Sequence, residues 1–258
     1  MDWVVGDPTQ PAFTTLTYGD VSHARALLKA LNLPTELVLS ILDYAEYWPT
    51  YTFARHKPSV ASARGNSASA ATLCLDAPIY NNPITAVAVA AGERAKCKRI
   101  EFHVVSRDQG WTSENTQGTY STSSWLEVSI LRPCNNNTQN RGTPPDLMNL
   151  WMSCPRDYRP GRGWELVKRP QRVEQGPQGG EGDCAWFLQG NRVVTGNQDY
   201  RIVWSEFGRD EGDEGAGSGE GFVQALQDGD RVLVWARAKW HGWQCIVEKV
   251  DVIVSYGF

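Results

Sequence analysis

The chain has 258 residues, 41% of them hydrophobic, and a formal net charge of −4 with a pI near 5.6. That length suits one large β domain, or a small helical segment ahead of one. The acidic balance argues against a sequence-independent nucleic-acid binder, and no stretch reaches the roughly eighteen apolar residues that a membrane span requires. The opening MDWVVGDPTQ has no basic region followed by an apolar run, so no signal peptide is expected and the chain reads as cytoplasmic.

In chain order, residues 1–20 read as an extended arm with Pro8 and Pro11, followed by two short helices over 20–31 and 34–47. Pro34 stands at a helix start, where its missing N–H costs nothing, and Glu36 favours the positive end of the helix dipole. Leu37, Ile41 and Tyr44 recur at helical spacing with Val38 and Leu42 beside them. That apolar stripe must dock either on the rest of the chain or on another protein. Trp48-Pro49 ends the helix, because the residue before a proline is pushed out of helical geometry. Residues 49–70 are polar and rich in small side chains and read as a linker or loop. The expected division is therefore 1–58, arm and helices, and 59–258, a β domain.

From residue 71 the pattern is β. In 98–105, Ile100, Phe102 and Val104 share a face; in 124–131, Trp125, Glu127, Ser129 and Leu131 oppose Leu126, Val128 and Ile130. Residues 201–206, 231–239 and 244–256 continue the series. In the last, Ile246, Val250, Val252 and Val254 share a side, with Glu248 as the odd member. Between them lie loops over 135–143, 175–183 and 210–221, the last an acidic, glycine-rich run that reads as a mobile excursion. Residues 148–152, after Pro144-Pro145, suggest a short capping helix. The whole predicts a mainly β protein, an antiparallel β-sandwich or jelly roll with a short N-terminal helical segment.

Two resemblances attach to these residues. Leu33, Pro34, Glu36, Leu37, Ile41 and Leu42 resemble about the first third of the F-box, the motif that tethers substrate receptors to SCF-type ubiquitin ligases. That resemblance implies an F-box adaptor protein as partner, docked on Leu37, Ile41 and Tyr44. WLEVSIL and GDRVLVWARAKWHGWQCIVEKVDVIV look like the closing strands of galactose-binding-like sandwiches, with Trp125, Glu127, Trp240, Gly242 and Trp243 carrying the likeness. Relatives of that kind are the sugar-binding domain of glycoprotein-recognising F-box proteins and the phloem-lectin domains, both of which follow an F-box in many proteins. The layout is also similar to a set of uncharacterised fungal proteins.

The residues themselves point to recognition before catalysis. Eleven tryptophans exceed average usage several-fold. Trp125, Trp186, Trp204 and Trp235 lie inside strand patterns and read as inter-sheet packing. Trp111, Trp164, Trp240 and Trp243 lie where strands turn, and aromatics on loops at one sandwich end make a stacking platform for sugar rings or planar molecules. With Asp108 and His241 they form the candidate ligand site for a carbohydrate, a glycoprotein or a small hydrophobic molecule; Gln109, Glu114, Asn115 and Gln244 are candidate hydroxyl-bonding groups.

No G-x-S-x-G elbow, P-loop or dinucleotide fingerprint is present, so no cofactor is expected. Six scattered cysteines and four dispersed histidines offer no close ligand pairs, so no metal is expected and the thiols read as reduced. The Asn136 sequon reads as unused. The competing class is a cofactor-free cyclase or isomerase with an aromatic pocket and one acid or base, for which His103, Glu101 and Glu127 are the candidates. A basic stretch, Arg156, Arg159, Arg162, Lys168, Arg169 and Arg172, reads as a solvated loop that pairs with the acidic run.

Overall fold

A computed structural model describes residues 16–64, 69–134, 150–160, 163–170, 176, 182–208 and 211–258. The calls on most of the N-terminal arm, on the 135–143 loop with Asn136, on Pro144-Pro145 and Met148, on Arg162 and Arg172, and on most of 175–183 lie outside the described residues. The chain divides into two compact units, 1–50 and 51–258.

The first unit is a helical hairpin. Helix α1 spans Tyr18–Ala30 behind a reciprocal capping box, in which the Thr17 hydroxyl accepts from the Asp20 N–H and the Asp20 carboxylate accepts from the Thr17 N–H. Asn32 turns the chain at φ 60°, a conformation that asparagine tolerates better than most residues, and Pro34 then caps α2, Thr35–Tyr44. The helix stops three residues before the expected end. Glu46 adopts φ 49°, and the Trp48 indole folds back to donate to Asp43 Oδ1 at 3.0 Å, so the turn is made ahead of the proline. Val38 and Leu42 are buried, whereas Leu37 (46%), Ile41 (37%) and Tyr44 (87%) are exposed.

The second unit is mainly β. Its strands are β1 Thr50–Arg55, β2 Ser59–Ser62, β3 Ser69–Ala77, β4 Lys96–Arg107, β5 Ser124–Pro133, β6 Trp151–Met152, β7 Trp164–Leu166, β8 Trp186–Gly190, β9 Gln198–Ser205, β10 Glu211–Gly212, β11 Arg231–Lys239 and β12 Gln244–Gly257. Among the described residues they form two six-stranded sheets. The first runs β1-β12-β4-β9-β10, with β2 also on β12; the second runs β6-β3-β11-β5-β7, with β8 also on β5. Every pairing with a described register is antiparallel. Ile100, Phe102, Val104, Val250, Val252, Val254, Ile202 and Trp204 from the first sheet meet Leu126, Val128, Ile130, Val232, Val234 and Trp186 from the second in one buried core. The architecture is thus an antiparallel β-sandwich, as the alternating pattern predicts.

Several sequence expectations need correction. Within the expected linker, residues 50–55 and 59–62 are strands: β1 and β2 pair with β12 and lie in the first sheet. Their four to six residues are short and partly exposed, so no strong alternation marks them. Residues 83–90 form a helix, α3 Pro83–Ala90, capped by the Asn82 side chain accepting from Ile84 and Thr85 N–H groups. Trp151 and Met152 pair with Thr72 and Ala71 as strand, not helix. In β12 the inward residues are Cys245 and Val247, then Val250, Val252 and Val254, because Glu248 is the extra residue of a bulge between Val247 and Lys249. Ile246 is therefore out of step with the valines.

The acidic run is packed rather than a mobile excursion. Trp204 Nε1 donates to Gly217 O and Trp186 Nε1 to Glu220 O, each at 3.0 Å, and Gln189 Nε2 donates to Glu214 O at 2.9 Å. Gly219, at φ +64°, lies against the Trp204 indole so closely that a methyl there would overlap the ring. The glycines let backbone lie flat on indoles before helix α4, Phe222–Ala225. The acidic run's Glu211 pairs with Arg201 at 3.0 Å, a partner from outside the basic stretch. Trp186 and Trp204 are inter-sheet, but Trp125 and Trp235 are not. They project from the other face of the second sheet, where Trp235 joins Leu73, Leu131, Tyr158, Trp164 and Leu233 in a second buried layer.

Candidate functional site

The end of the sandwich where β4 finishes and β12 begins gathers most of the predicted ligand residues. Asp108 follows β4 and is fully buried. Its Oδ1 accepts from Gly110 N–H and its Oδ2 from Val194 N–H, both at 2.8 Å. It is consequently a brace and not a group for ligand hydroxyls. The brace fixes a tight loop that presents Trp111, 57% exposed. Gln109 ties this loop to the next, accepting from Gln244 N–H at 3.2 Å and donating to Trp111 O at 2.6 Å.

The second loop is the β11–β12 hairpin. Trp243 N–H donates to Trp240 O at 3.2 Å, and Ala63 bonds the turn through both its N–H and its C=O. Trp240 is 51% exposed and held at φ 70°, which is unusual for a bulky side chain. Lys239 Nζ lies 5.1 Å over its ring. Gly242, at φ +91°, is the point of closest approach between the loops: a Cβ there would stand 3.3 Å from Trp111 Cζ2 and Cη2. His241 is exposed at the tip, and Trp243 is half-buried against the core.

The structure therefore brings together Asp108, Trp111, Trp240, His241 and Trp243. Trp164 is elsewhere. It opens β7, opposite Pro133, and is 8% exposed in the layer over the second sheet, so it offers no stacking face. Gln109 and Gln244 spend their side chains on loop contacts, the latter on Ser62 Oγ at 3.3 Å, while Glu114 and Asn115 are exposed. Sequence reasoning missed Lys239 and the bracing role of Asp108. An aspartate followed by glutamine, glycine and tryptophan directly after a strand is a turn signal that could have shown the latter.

The three candidate catalytic residues do not converge. Glu101 and His103 lie on the outer face of the first sheet, with His103 Nε2 2.6 Å from Glu101 Oε1. Arg201 grips the same carboxylate through Nε at 2.7 Å and Nη2 at 3.2 Å. Burial pushes the Glu101 carboxyl up, but the bonds from Arg201 and His103 together outweigh it and hold it below the usual range. Asp251, opposite His103 in register, is bonded by His56 and Lys249, each at 2.7 Å. Glu127 lies on the outer face of the other sheet, wholly buried. It accepts from Trp125 Nε1 at 3.0 Å and pairs with Arg237, whose guanidinium stands 5.0 Å from the Trp125 ring centroid. Beside it, Ser129 Oγ, Trp235 Nε1 and Tyr158 OH are buried without hydrogen-bond partners among the described residues. Both sheets separate Glu127 from His103.

Among the described residues no group of three or more His, Cys, Asp or Glu is placed to hold a metal ion, and no helix is long and apolar enough to cross a membrane. No family of known proteins and no curated protein matches the chain. Among solved structures, peanut lectin with a 9mer peptide (PVIWSSATG) is similar at 9% identity and a TM-score of 0.35, over 81% of this chain and 99% of that one. Winged bean acidic lectin complexed with methyl-α-D-galactose is similar at 9% identity and a TM-score of 0.32, over 81% of this chain and 100% of that one.

Proposed function

We propose that this chain is a recognition protein whose sandwich binds carbohydrate, free or on a glycoprotein, across the loop end that carries Trp111 and Trp240. The observation that carries this reading is the pair of exposed indoles fixed on two loops that touch at Gly242. A sugar ring buries its apolar C–H face on such rings, and it needs them already rigid, because ordering loops on binding would consume affinity. Asp108 and Gln109 supply that rigidity. His241, Glu114 and Asn115 are exposed on the same loops to meet hydroxyl groups.

The helical unit adds a tether to this reading. Leu37, Ile41 and Tyr44 form an exposed stripe, the surface that an F-box adaptor would cover, so that the protein acts as a cytoplasmic substrate receptor of a ubiquitin ligase. A glycan array probed with the full chain and with its Trp111→Ala and Trp240→Ala variants tests the sugar reading. Saturable binding that both variants lose supports it, and no binding by the folded parent rejects it. Co-purification with an F-box adaptor, lost in Ile41→Asp, tests the tether separately.

A second reading, a cofactor-free cyclase or isomerase for a small hydrophobic substrate, draws on Glu127 beneath Trp125 and Trp235. It ranks lower because Arg237 already pairs with that carboxylate. Turnover of a hydrophobic polyene or epoxide substrate, abolished by Glu127→Gln in folded protein, would reverse the order.

A further inference from the structure

The covered face of the second sheet holds three polar groups of one kind. Trp235 on β11 and Ser129 on β5 are fully buried, and Tyr158, packed in the layer over them, is 8% exposed. Among the described residues, Trp235 Nε1, Ser129 Oγ and Tyr158 OH each lack a hydrogen-bond partner. A group left dry in this way costs its whole desolvation energy, and folded chains rarely carry one without a reason. These three are neighbours. The β5–β11 register sets Glu127 opposite Trp235 and Ser129 opposite Leu233, so Ser129 lies one step along the same face from Trp235. The Tyr158 ring stands beside the Trp235 ring, with centroids 6.3 Å apart. The sheet is also irregular at this level. β3 passes Trp235 with Cys74 as an extra residue, and β8 passes Glu127 with Leu188 as another. Bulges of this kind re-aim side chains and are common beside binding and active sites.

The chemistry of the three groups is shared. An indole N–H donates only, and both hydroxyls can donate, so what they lack in common is an acceptor. The rest of the layer is apolar, with Leu73, Leu131 and Leu233 among its members. Its charges are matched within the chain, Glu127 by Arg237 and Asp76 by Arg231, so a neutral guest suits it better than an ion. The geometry points to a second ligand site, buried between this sheet and its cover, for a small and largely apolar molecule that carries a carbonyl oxygen. That oxygen accepts from the Trp235 indole and from the Tyr158 and Ser129 hydroxyls, while the carbon frame packs on the leucines. The site goes beyond the carbohydrate reading, shares no residue with the Trp111–Trp240 platform, and requires no turnover.

The test is nuclear magnetic resonance on the full chain with isotope-labelled tryptophan, in which the Trp235 indole signal is identified by its loss in Trp235→Phe. Two ketones, cyclohexanone and acetophenone, are titrated beside cyclohexane and ethylbenzene, their counterparts without the oxygen. The expected result is a saturable downfield shift of the Trp235 indole proton with at least one ketone, which binds about tenfold tighter than its hydrocarbon, the worth of one net hydrogen bond. Tyr158→Phe/Ser129→Ala removes two hydroxyls and little volume, so it should fold and should abolish that margin. Trp111→Ala should leave the margin intact. Equal binding of the hydrocarbon overturns the assignment, and so does a margin that survives the double variant. A margin lost in Trp111→Ala overturns it as well, because the ketone is then on the loops. No response of the Trp235 signal to either ketone in folded protein removes the site, and magnetisation transfer from bound water to that indole would then identify a water cluster only. None of these outcomes bears on glycan binding, which the array decides separately.

Discussion

The outer faces of the two sheets carry the same device in opposite surroundings. On the first, Glu101 is gripped by Arg201 beside His103, with Arg201 and His103 partly in solvent. On the second, Glu127 is held by Arg237 beside Trp125, all three sealed from water. An arginine–glutamate pair facing solvent contributes little, because screening and side-chain entropy offset most of the attraction. A sealed pair contributes little in net terms too, but breaking it is costly, because the surviving charge has no water to turn to. One motif is thus a surface ornament on one side of the sandwich and a structural commitment on the other.

Arg237→Ala should break the comparison most sharply, lowering unfolding stability by about 3–5 kcal/mol in a urea titration. The double change Glu127→Leu/Arg237→Met should recover most of that loss, because it removes both charges while keeping volume. Ser129→Ala, on the same sealed face, should instead stabilise by about 1 kcal/mol, since it deletes a buried hydroxyl with no partner among the described residues. Arg201→Ala on the open face should cost at most about 1 kcal/mol.

The smallest effect concerns acid. Glu101 titrates below its ordinary value of 4.5 in the folded chain, so its stabilising contribution is full above that value and is lost as pH falls through the lowered one. Urea midpoints measured below pH 4.5 should fall less steeply in Glu101→Gln than in the parent, by an amount worth under about 1 kcal/mol. A slope unchanged by that substitution would mean that Glu101 is not held as described.

Alternation in the sequence was enough to place Ile100, Phe102 and Val104 on one face of β4, and Leu126, Val128 and Ile130 on one face of β5, because a half-buried strand has a period of two. The same alternation set Trp125 and Trp235 apart from those residues without saying that the far face was covered as well. A tryptophan on either side of a sheet reads identically until the neighbouring layer is known. The helix at Pro83 was readable from Asn82-Pro83, a capping side chain followed by the residue best suited to the first helical position, but it was submerged in a region already taken for strands. The acidic run misled for a different reason: composition reports what a segment can do in water, whereas Gly219 and Gly217 are dictated by the indole and backbone they lie against. Within the candidate site, the two exposed indoles were legible as loop tryptophans. The rank of Lys239 was not, because its value comes from standing over a ring.

Glu248 has an effect out of proportion to its contacts. By inserting one residue into β12, it makes the strand two segments spliced out of step: the long part faces the core with Val250, Val252 and Val254, and the short part with Cys245 and Val247. Were Glu248 deleted, Val247 and Lys249 would follow each other opposite Ser106 and Val105 in a regular ladder, with Cys245 and Val247 still inward, and β12 would lose the bend and added twist that set the direction of the Trp240–Trp243 turn preceding it. The bulge therefore acts as an aiming joint for the tryptophan pair. What this end of the sandwich reads can be retuned by the length of a strand, with every residue of the platform left in place.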